Sequence, residues 1–138
     1  MTTLPASVPY PSAAEICRWT LGSFGDLRNL RAALREAAAG AMSTGSSDAV
    51  ERMALVVTEL ATNALRHGRP PTVVRLLRES DRLIIDVADH DRHAAPQVDA
   101  GRPLGAGGLG LQLTRTFAAD VGWYATDATK HVWASFPS

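Results

Sequence analysis

The sequence contains little cysteine, no excess of either charge and no long apolar run. Cys17 is the single cysteine among 138 residues, so an internal disulfide and a cysteine-rich zinc motif are both excluded. The 14 Lys and Arg residues balance the 14 Asp and Glu residues, so the formal net charge is zero. A neutral chain lacks the excess of basic residues that is typical of nucleic-acid-binding domains, and we expect no direct binding of nucleic acid. Because no apolar run approaches about 18 residues, the sequence predicts no transmembrane helix. It also contains no polybasic tract for anionic lipids, so we expect no membrane partner.

The amino-terminal residues also lack the features of a targeting segment. Residues 1–11 contain no basic residue and no apolar stretch, which argues against a secretory signal and, together with the lone cysteine, predicts a cytoplasmic protein. The composition, 46% hydrophobic and 20% charged, is typical of a soluble globular domain. We expect a flexible, proline-containing tail over residues 1–14 and a single domain over residues 15–138.

Hydrophobic periodicity predicts the order β, α, α, β, β, loop, α, β, β. The predicted elements are a strand over 15–21, helices over 26–39 and 47–67, strands over 72–78 and 82–89, a helix over 109–119, and strands over 121–126 and 131–136. Gly40 is expected to end the first helix. Consecutive hairpins with helices on one face define an α+β fold, a two-layer α/β sandwich, rather than a βαβ alternation.

The second predicted helix carries three polar side chains in one row. Glu59 and Asn63 are four residues apart and therefore stack on one side of the helix, and His67 lies one turn further along. A carboxylate, an amide and an imidazole in a row suit a hydrated Mg²⁺ with its phosphates, with Glu59 as a general base. The alternative is a solvated polar helix face, and the spacing alone leaves both interpretations open.

A second candidate lies at the end of the strand predicted over 82–89. Strict alternation places Asp89 on the same face as three apolar residues, so a carboxylate ends a core-facing row. Such a carboxylate needs a donor, which is either a neighbouring backbone N–H or the exocyclic amine of a purine. Asp86 points to the opposite face of the strand, and we expect it to be solvated.

A third candidate is the glycine-rich stretch before the third predicted helix. Residues 105–110 read Gly-Ala-Gly-Gly-Leu-Gly and match G-x-G-x-x-G literally. No strand leads into them within a βαβ unit, which argues against a dinucleotide-binding fingerprint. Glycines leave backbone N–H groups accessible and the following helix presents its positive end, so the stretch is either an anion cradle or a flexible loop.

Taken together, the three candidates resemble the GHKL (Bergerat-fold) ATPase superfamily. Two segments are similar to those of its anti-sigma-factor serine/threonine kinases: Glu59-Leu-Ala-Thr-Asn63-Ala-Leu-Arg-His67-Gly68 and Lys130-His-Val-Trp-Ala-Ser-Phe136. The resemblance spans roughly residues 15–136. It implies a mixed, mostly antiparallel sheet covered on one face by about three helices, with ATP between the two layers.

The resemblance also implies roles for individual residues of this sequence. Asn63 would hold Mg²⁺ against the phosphates, Glu59 would orient or deprotonate the attacking group, and Asp89 would bind the adenine amine. The other implied nucleotide-binding residues are His67, Gly105, Gly107, Gly108, Leu109 and Gly110. The wider superfamily pattern Asp-x-Gly-x-Gly is not kept, because the sequence from Asp89 reads Asp-His-Asp-Arg-His.

Two functions are compatible with this resemblance. The first is an ATP-dependent serine/threonine protein kinase that acts as an anti-sigma factor. Such a kinase would bind ATP or ADP and a sigma factor, and it would phosphorylate an anti-anti-sigma protein. The alternative is a non-catalytic module, with bound ATP or none, that sequesters a protein partner. The presence of Glu59 favours the kinase, and the absence of the pattern's glycines after Asp89 favours the module. By analogy with the family, we also expect a homodimer.

Overall fold

The computed structural model describes residues 2–4, 6–7, 12–42, 47–91, 97–98 and 109–138. Its strands are β1 (Thr2–Thr3), β2 (Ala14–Leu21), β3 (Thr72–Glu79), β4 (Arg82–Asp89), β5 (Gln97–Val98), β6 (Asp120–Ala125) and β7 (Lys130–Pro137). Its helices are α1 (Leu27–Ala41), which follows a 3₁₀ turn over Phe24–Asp26, α2 (Ser47–His67) and α3 (Leu109–Phe117). The predicted element order is confirmed, and the two-residue strands β1 and β5 are additions to it.

Five of the strands form one sheet in the order β2-β3-β4-β7-β6, and every neighbouring pair in it is antiparallel. Strands β1 and β5 pair with each other, and Ala6 forms an isolated parallel bridge to Trp123. Strand β4 is central, and seven of its eight residues are buried. The three helices cover one face of this sheet, so the predicted α+β sandwich is confirmed.

Helix α1 runs past the glycine that was expected to end it. Gly40 is helical, and the helix ends one residue later at Ala41, where the extended Met42 still donates its N–H to the carbonyl of Ala38 (3.0 Å). A glycine costs a helix only about 1 kcal/mol relative to alanine, and Ala38 in the same turn is fully buried. Packing of the last turn therefore outweighs the conformational cost of Gly40.

The main core lies between the helices and the facing side of the sheet. Helix α2 buries eight of its 21 residues along one apolar stripe. The largest fully buried aliphatic side chains of this core are Leu34, Met53, Val56, Val57, Val74, Leu76, Leu83, Ile85 and Val87. Each such burial contributes roughly 1.5–3 kcal/mol, which makes the contact between α2 and the sheet the main support of the fold.

The described part of the amino-terminal segment packs against the domain. Leu4 is only 2% exposed and belongs to the main core. Ser7 donates its backbone N–H to the carbonyl of Trp123 (2.9 Å) and accepts a hydrogen bond from the indole Nε1 of Trp133 (3.0 Å). These contacts hold part of the predicted tail against β6 and β7, while its flexibility remains a prediction.

Asp86 does not face solvent as expected. Its side chain is fully buried, with 0% exposure, on the sheet face opposite the helices. Its Oδ1 lies 2.9 Å from His131 Nδ1, and its Oδ2 accepts a hydrogen bond from the Tyr124 hydroxyl (3.1 Å). The Arg75 guanidinium lies 3.6 Å from the same Oδ2. The alternation of the strand was interpreted correctly, but this second face is occupied by polar and aromatic side chains of β3, β6 and β7.

The polar network continues from Asp86 to the edge of the sheet. Arg75 lies between Asp86 and Glu15, with its Nη1 3.7 Å from Glu15 Oε1. Arg18, which lies on β2 with Glu15, contacts the same Glu15 Oε1 through its Nη2 at 2.8 Å. The hydrogen bond from Arg18 is the largest cause of the lowered pKa of Glu15. Charged side chains thus occupy the outer face of the edge strand β2, and such charges disfavour pairing with another chain.

Candidate functional site

The carboxyl-terminal end of α2 meets the end of β4 at Gly68. Gly68 follows the helix, donates its N–H to the carbonyl of Ala64 (2.8 Å), and is followed by prolines that cannot continue a helix. A Cβ placed on Gly68 would lie 2.5 Å from both Cγ and Oδ2 of Asp89, and 2.6 Å from the Ala64 carbonyl oxygen. No side chain fits in this space, so the glycine brings helix α2 into direct contact with the Asp89 carboxylate.

The Asp89 carboxylate is buried, as the alternation of its strand predicted. It is 3% exposed, and its Oδ1 accepts a hydrogen bond from the backbone N–H of Asp91 (2.6 Å). Its Oδ2 lies 3.7 Å from the ammonium nitrogen of Lys130, which is also buried. A backbone donor, one of the two kinds expected from the sequence, is therefore present, and Oδ2 has a cation beside it.

The segment after Asp89 is tied to the segment after α2. His90 donates its backbone N–H to the carbonyl of Arg69 (2.9 Å), and its ring nitrogen Nδ1 lies 3.3 Å from the carbonyl oxygen of Pro71. The sequence here lacks the glycines of the wider superfamily pattern. These hydrogen bonds hold the chain beside Asp89, and they place the ends of α2 and β4 at one site.

Glu59 and Asn63 occupy successive turns of α2 before this junction. Both are half-buried, and His67 in the last turn is exposed. In the described part of the chain, neither Glu59 nor Asn63 has a side-chain hydrogen bond or ion pair. Thr58 and Thr62 beside them instead donate to helix carbonyls at 2.8 and 2.7 Å. Within the described residues, α2 thus carries a carboxylate and an amide without a side-chain partner, and the end of this helix lies against Asp89.

The glycine-rich candidate lies mostly beyond what the structure describes. Leu109 and Gly110 are the first two residues of α3, which packs against α2, while Gly105, Gly107 and Gly108 lie outside the described residues. Helix α3 ends at Phe117, two residues before the predicted end. The role of this stretch as an anion cradle remains a prediction.

Sequence reasoning missed two features of the site. Lys130 and Gly68 were named only as end residues of the two family-like segments, and neither was given a role in the site. The register of the sheet pairs Asp89 of β4 directly with Lys130 of β7. A prediction that β4 and β7 are neighbours in this register would have placed the ammonium beside the carboxylate. The close approach of Gly68 depends on the packing of α2 against the sheet, and the sequence carries no local signal of it.

The donor set suits a cation that takes most of its ligands from elsewhere. Within residues that the structure describes, no three His, Cys, Asp or Glu side chains are grouped to hold a metal ion. Asn63 supplies one amide oxygen. Mg²⁺ prefers oxygen ligands and keeps several waters, so one protein oxygen with phosphate oxygens and water is a suitable set of ligands.

Among the helices that the structure describes, none is long and apolar enough to cross a membrane.

An antiparallel five-stranded sheet with three helices is the architecture of a GHKL-type ATPase domain. The family model described as a histidine kinase-like ATPase domain matches residues 24–136. The chain belongs to this family, which implies that it binds ATP. No curated protein matches the chain in a sequence search.

Proposed function

We propose that the chain is an ATP-dependent serine/threonine protein kinase that acts as a cytoplasmic anti-sigma factor. The observation that supports a kinase is the half-buried pair Glu59 and Asn63, aligned on the helix that ends against Asp89. A carboxylate without a partner among the described residues, one turn from a candidate metal ligand, is suited to accept a proton during phosphoryl transfer. The proposed partners, a sigma factor and an anti-anti-sigma protein, are inferred from the similarity of residues 59–68 to the anti-sigma-factor kinases.

In the proposed reaction, three residues have separate roles. Asp89 accepts a hydrogen bond from the adenine amine and fixes the base, and Asn63 holds Mg²⁺, which neutralises charge on the phosphates. Glu59 accepts the proton of the partner's Ser or Thr hydroxyl as its oxygen bonds to the γ-phosphorus. The bond from that phosphorus to the β,γ-bridging oxygen breaks, and ADP leaves. His67, Gly105, Gly107, Gly108, Leu109 and Gly110 are proposed to line the phosphate region.

The metal assignment predicts that ATP binding depends on Mg²⁺ through Asn63. Calorimetry on the full chain should give micromolar binding that weakens about 10-fold when Mg²⁺ is removed, a loss of about 1.4 kcal/mol. Asn63→Ala should bind ATP equally weakly with and without Mg²⁺. Thr62→Ala is the matched control, because Thr62 bonds only within the helix among the described residues and should keep the Mg²⁺ effect. An Mg²⁺ effect of full size in Asn63→Ala would exclude this residue as the ligand.

The catalytic assignment predicts that Glu59→Gln binds ATP but transfers phosphate slowly. Loss of a general base lowers the rate by about 10²–10⁴-fold. The measurement is transfer of labelled γ-phosphate to an anti-anti-sigma protein under single-turnover conditions. Glu51→Gln on the same helix is the control, because the contact that Glu51 makes within the described residues is an exposed ion pair with Arg35. A Glu59→Gln protein as fast as wild type would remove the proposed base.

The alternative function is a non-catalytic module that sequesters its partner. It is favoured by the Asp89 surroundings, where the glycines are replaced and the carboxylate already contacts Asp91 and Lys130. Such a module would retain the partner in pull-down and ultracentrifugation experiments without any phosphate transfer. The kinase predicts transfer to the same partner, so one labelled-ATP assay separates the two functions.

A further inference from the structure

A lysine lies where the adenine-binding aspartate is proposed to act. Lys130 is 9% exposed, and its Nζ lies 3.7 Å from Asp89 Oδ2. Lysine is almost never buried unless it is paired. The two residues are direct cross-strand partners at the ends of β4 and β7, so the sheet itself fixes their positions.

Among the residues that the structure describes, the Lys130 ammonium has N–H donors without an acceptor. At 3.7 Å from Asp89 Oδ2, Lys130 is attracted to the carboxylate but lies beyond ordinary hydrogen-bond distance. An ammonium group carries three N–H donors, and a buried charge requires hydrogen bonds as well as a counter-charge. Among the described residues, Asp89 is the one ion-pair partner that Lys130 has. Lys130 can therefore donate to a ligand that reaches Asp89.

We propose that Lys130 is a specificity-determining residue that reads the purine base together with Asp89. Asp89 accepts from the exocyclic amine of adenine, and Lys130 donates to the adjacent ring nitrogen N1. The inference rests on the proposed ATP site and adds a second contact to the same edge of the base.

The pairing explains why adenine would be chosen over guanine in this pose. The Watson–Crick edge of adenine presents a donor beside an acceptor, matching a carboxylate beside an ammonium. Guanine in the same pose presents O6 to the carboxylate and N1–H to the ammonium, so both contacts become repulsive or unpaired. Sites that leave buried polar groups unpaired reject the wrong ligand strongly, and we expect GTP to bind at least about 100-fold more weakly than ATP.

The test compares ATP with 1-deaza-ATP, in which N1 is replaced by C–H and the exocyclic amine is kept. Calorimetry on the full wild-type chain should show 1-deaza-ATP binding about 10- to 100-fold more weakly, the effect of losing a hydrogen bond to a charged group. Lys130→Met should bind both nucleotides with equal affinity. A lysine that only neutralises Asp89 would affect both nucleotides alike and leave their ratio unchanged on substitution.

Three outcomes would overturn the inference, and they are distinguishable. Equal binding of ATP and 1-deaza-ATP by the wild type would refute the Lys130 contact while the ATP site stands. A ratio that survives in Lys130→Met would assign N1 to another group. Absence of ATP binding by the folded wild type would refute the ATP site itself. If Lys130→Met fails to fold, the variant Asp89→Asn/Lys130→Met removes both charges, and its nucleotide ratio is measured instead.

Discussion

Gly68→Ala is expected to abolish measurable ATP binding and to destabilise the domain. The new methyl group would lie 2.5 Å from the Asp89 carboxylate and 2.6 Å from the backbone carbonyl of Ala64, both far inside contact distance. Relief requires that the end of α2 moves away from β4, which displaces the carboxylate proposed to hold the base. Overpacking of this kind costs about 1–3 kcal/mol of unfolding free energy, and we expect at least a 100-fold loss of ATP affinity.

Gly40→Ala provides the matched control for this prediction. Gly40 lies in α1, and a Cβ added there would meet nothing within 4 Å. Because alanine favours a helix over glycine, this variant should gain about 0.5–1 kcal/mol in stability and bind ATP normally. Urea unfolding and calorimetry on both variants make the comparison. A Gly68→Ala protein with wild-type stability and affinity would show that the junction is looser than the structure indicates.

Asp86→Ala is expected to produce the largest loss of stability without disturbing the nucleotide site. Removing one partner of a buried charged network typically costs about 3–5 kcal/mol, because the other groups lose a compensating charge or acceptor. Here the Arg75 guanidinium, the His131 ring and the Tyr124 hydroxyl each lose their contact with the Asp86 carboxylate, while Arg75 keeps its contact with Glu15. Domains of this size have only about 5–15 kcal/mol in total, so the urea midpoint should fall sharply.

Two further variants make the Asp86 prediction decisive. Glu51→Ala breaks an exposed ion pair of 2.9 Å and should cost less than about 1 kcal/mol. Tyr124→Phe removes the hydrogen bond from the Tyr124 hydroxyl to the buried carboxylate, should cost about 1.5–3 kcal/mol, and replaces Asp86→Ala if that protein does not fold. ATP affinity of the folded variants should remain unchanged, since Asp86 and Asp89 face opposite sides of β4. Equal losses for Asp86→Ala and Glu51→Ala would contradict the network.

The comparison of Asp86 with Asp89 shows which structural features the sequence could predict. The period of two placed the two carboxylates on opposite faces correctly, because alternation is a local property of a strand. Solvation of the second face was assumed because antiparallel sheets commonly leave one face in water. Burial of Asp86 depends on residues from three other strands, and contacts between residues so distant in the chain leave no local pattern.

The same distinction applies to the candidate site. Helix α2 was predicted closely, since its apolar stripe, its following glycine and its prolines are all local signals. The polar row of Glu59 and Asn63 was visible for the same reason. Lys130 was not recognised as part of the site, because its position beside Asp89 follows from the pairing of β4 with β7. Spacing and alternation suggested roles for Glu59, Asn63 and Asp89 but left a second interpretation open for each, and the family resemblance favoured the nucleotide-binding one.

The central position of β4 has a consequence for local unfolding of the domain. Because β4 is flanked by β3 and β7 and buried along almost its whole length, we expect its amide hydrogens to exchange only on global unfolding. Asp89 is the last residue of that strand, and its partner Lys130 begins the next. We therefore expect the backbone positions of Asp89 and Lys130 to stay fixed relative to each other through local fluctuations that leave the sheet intact.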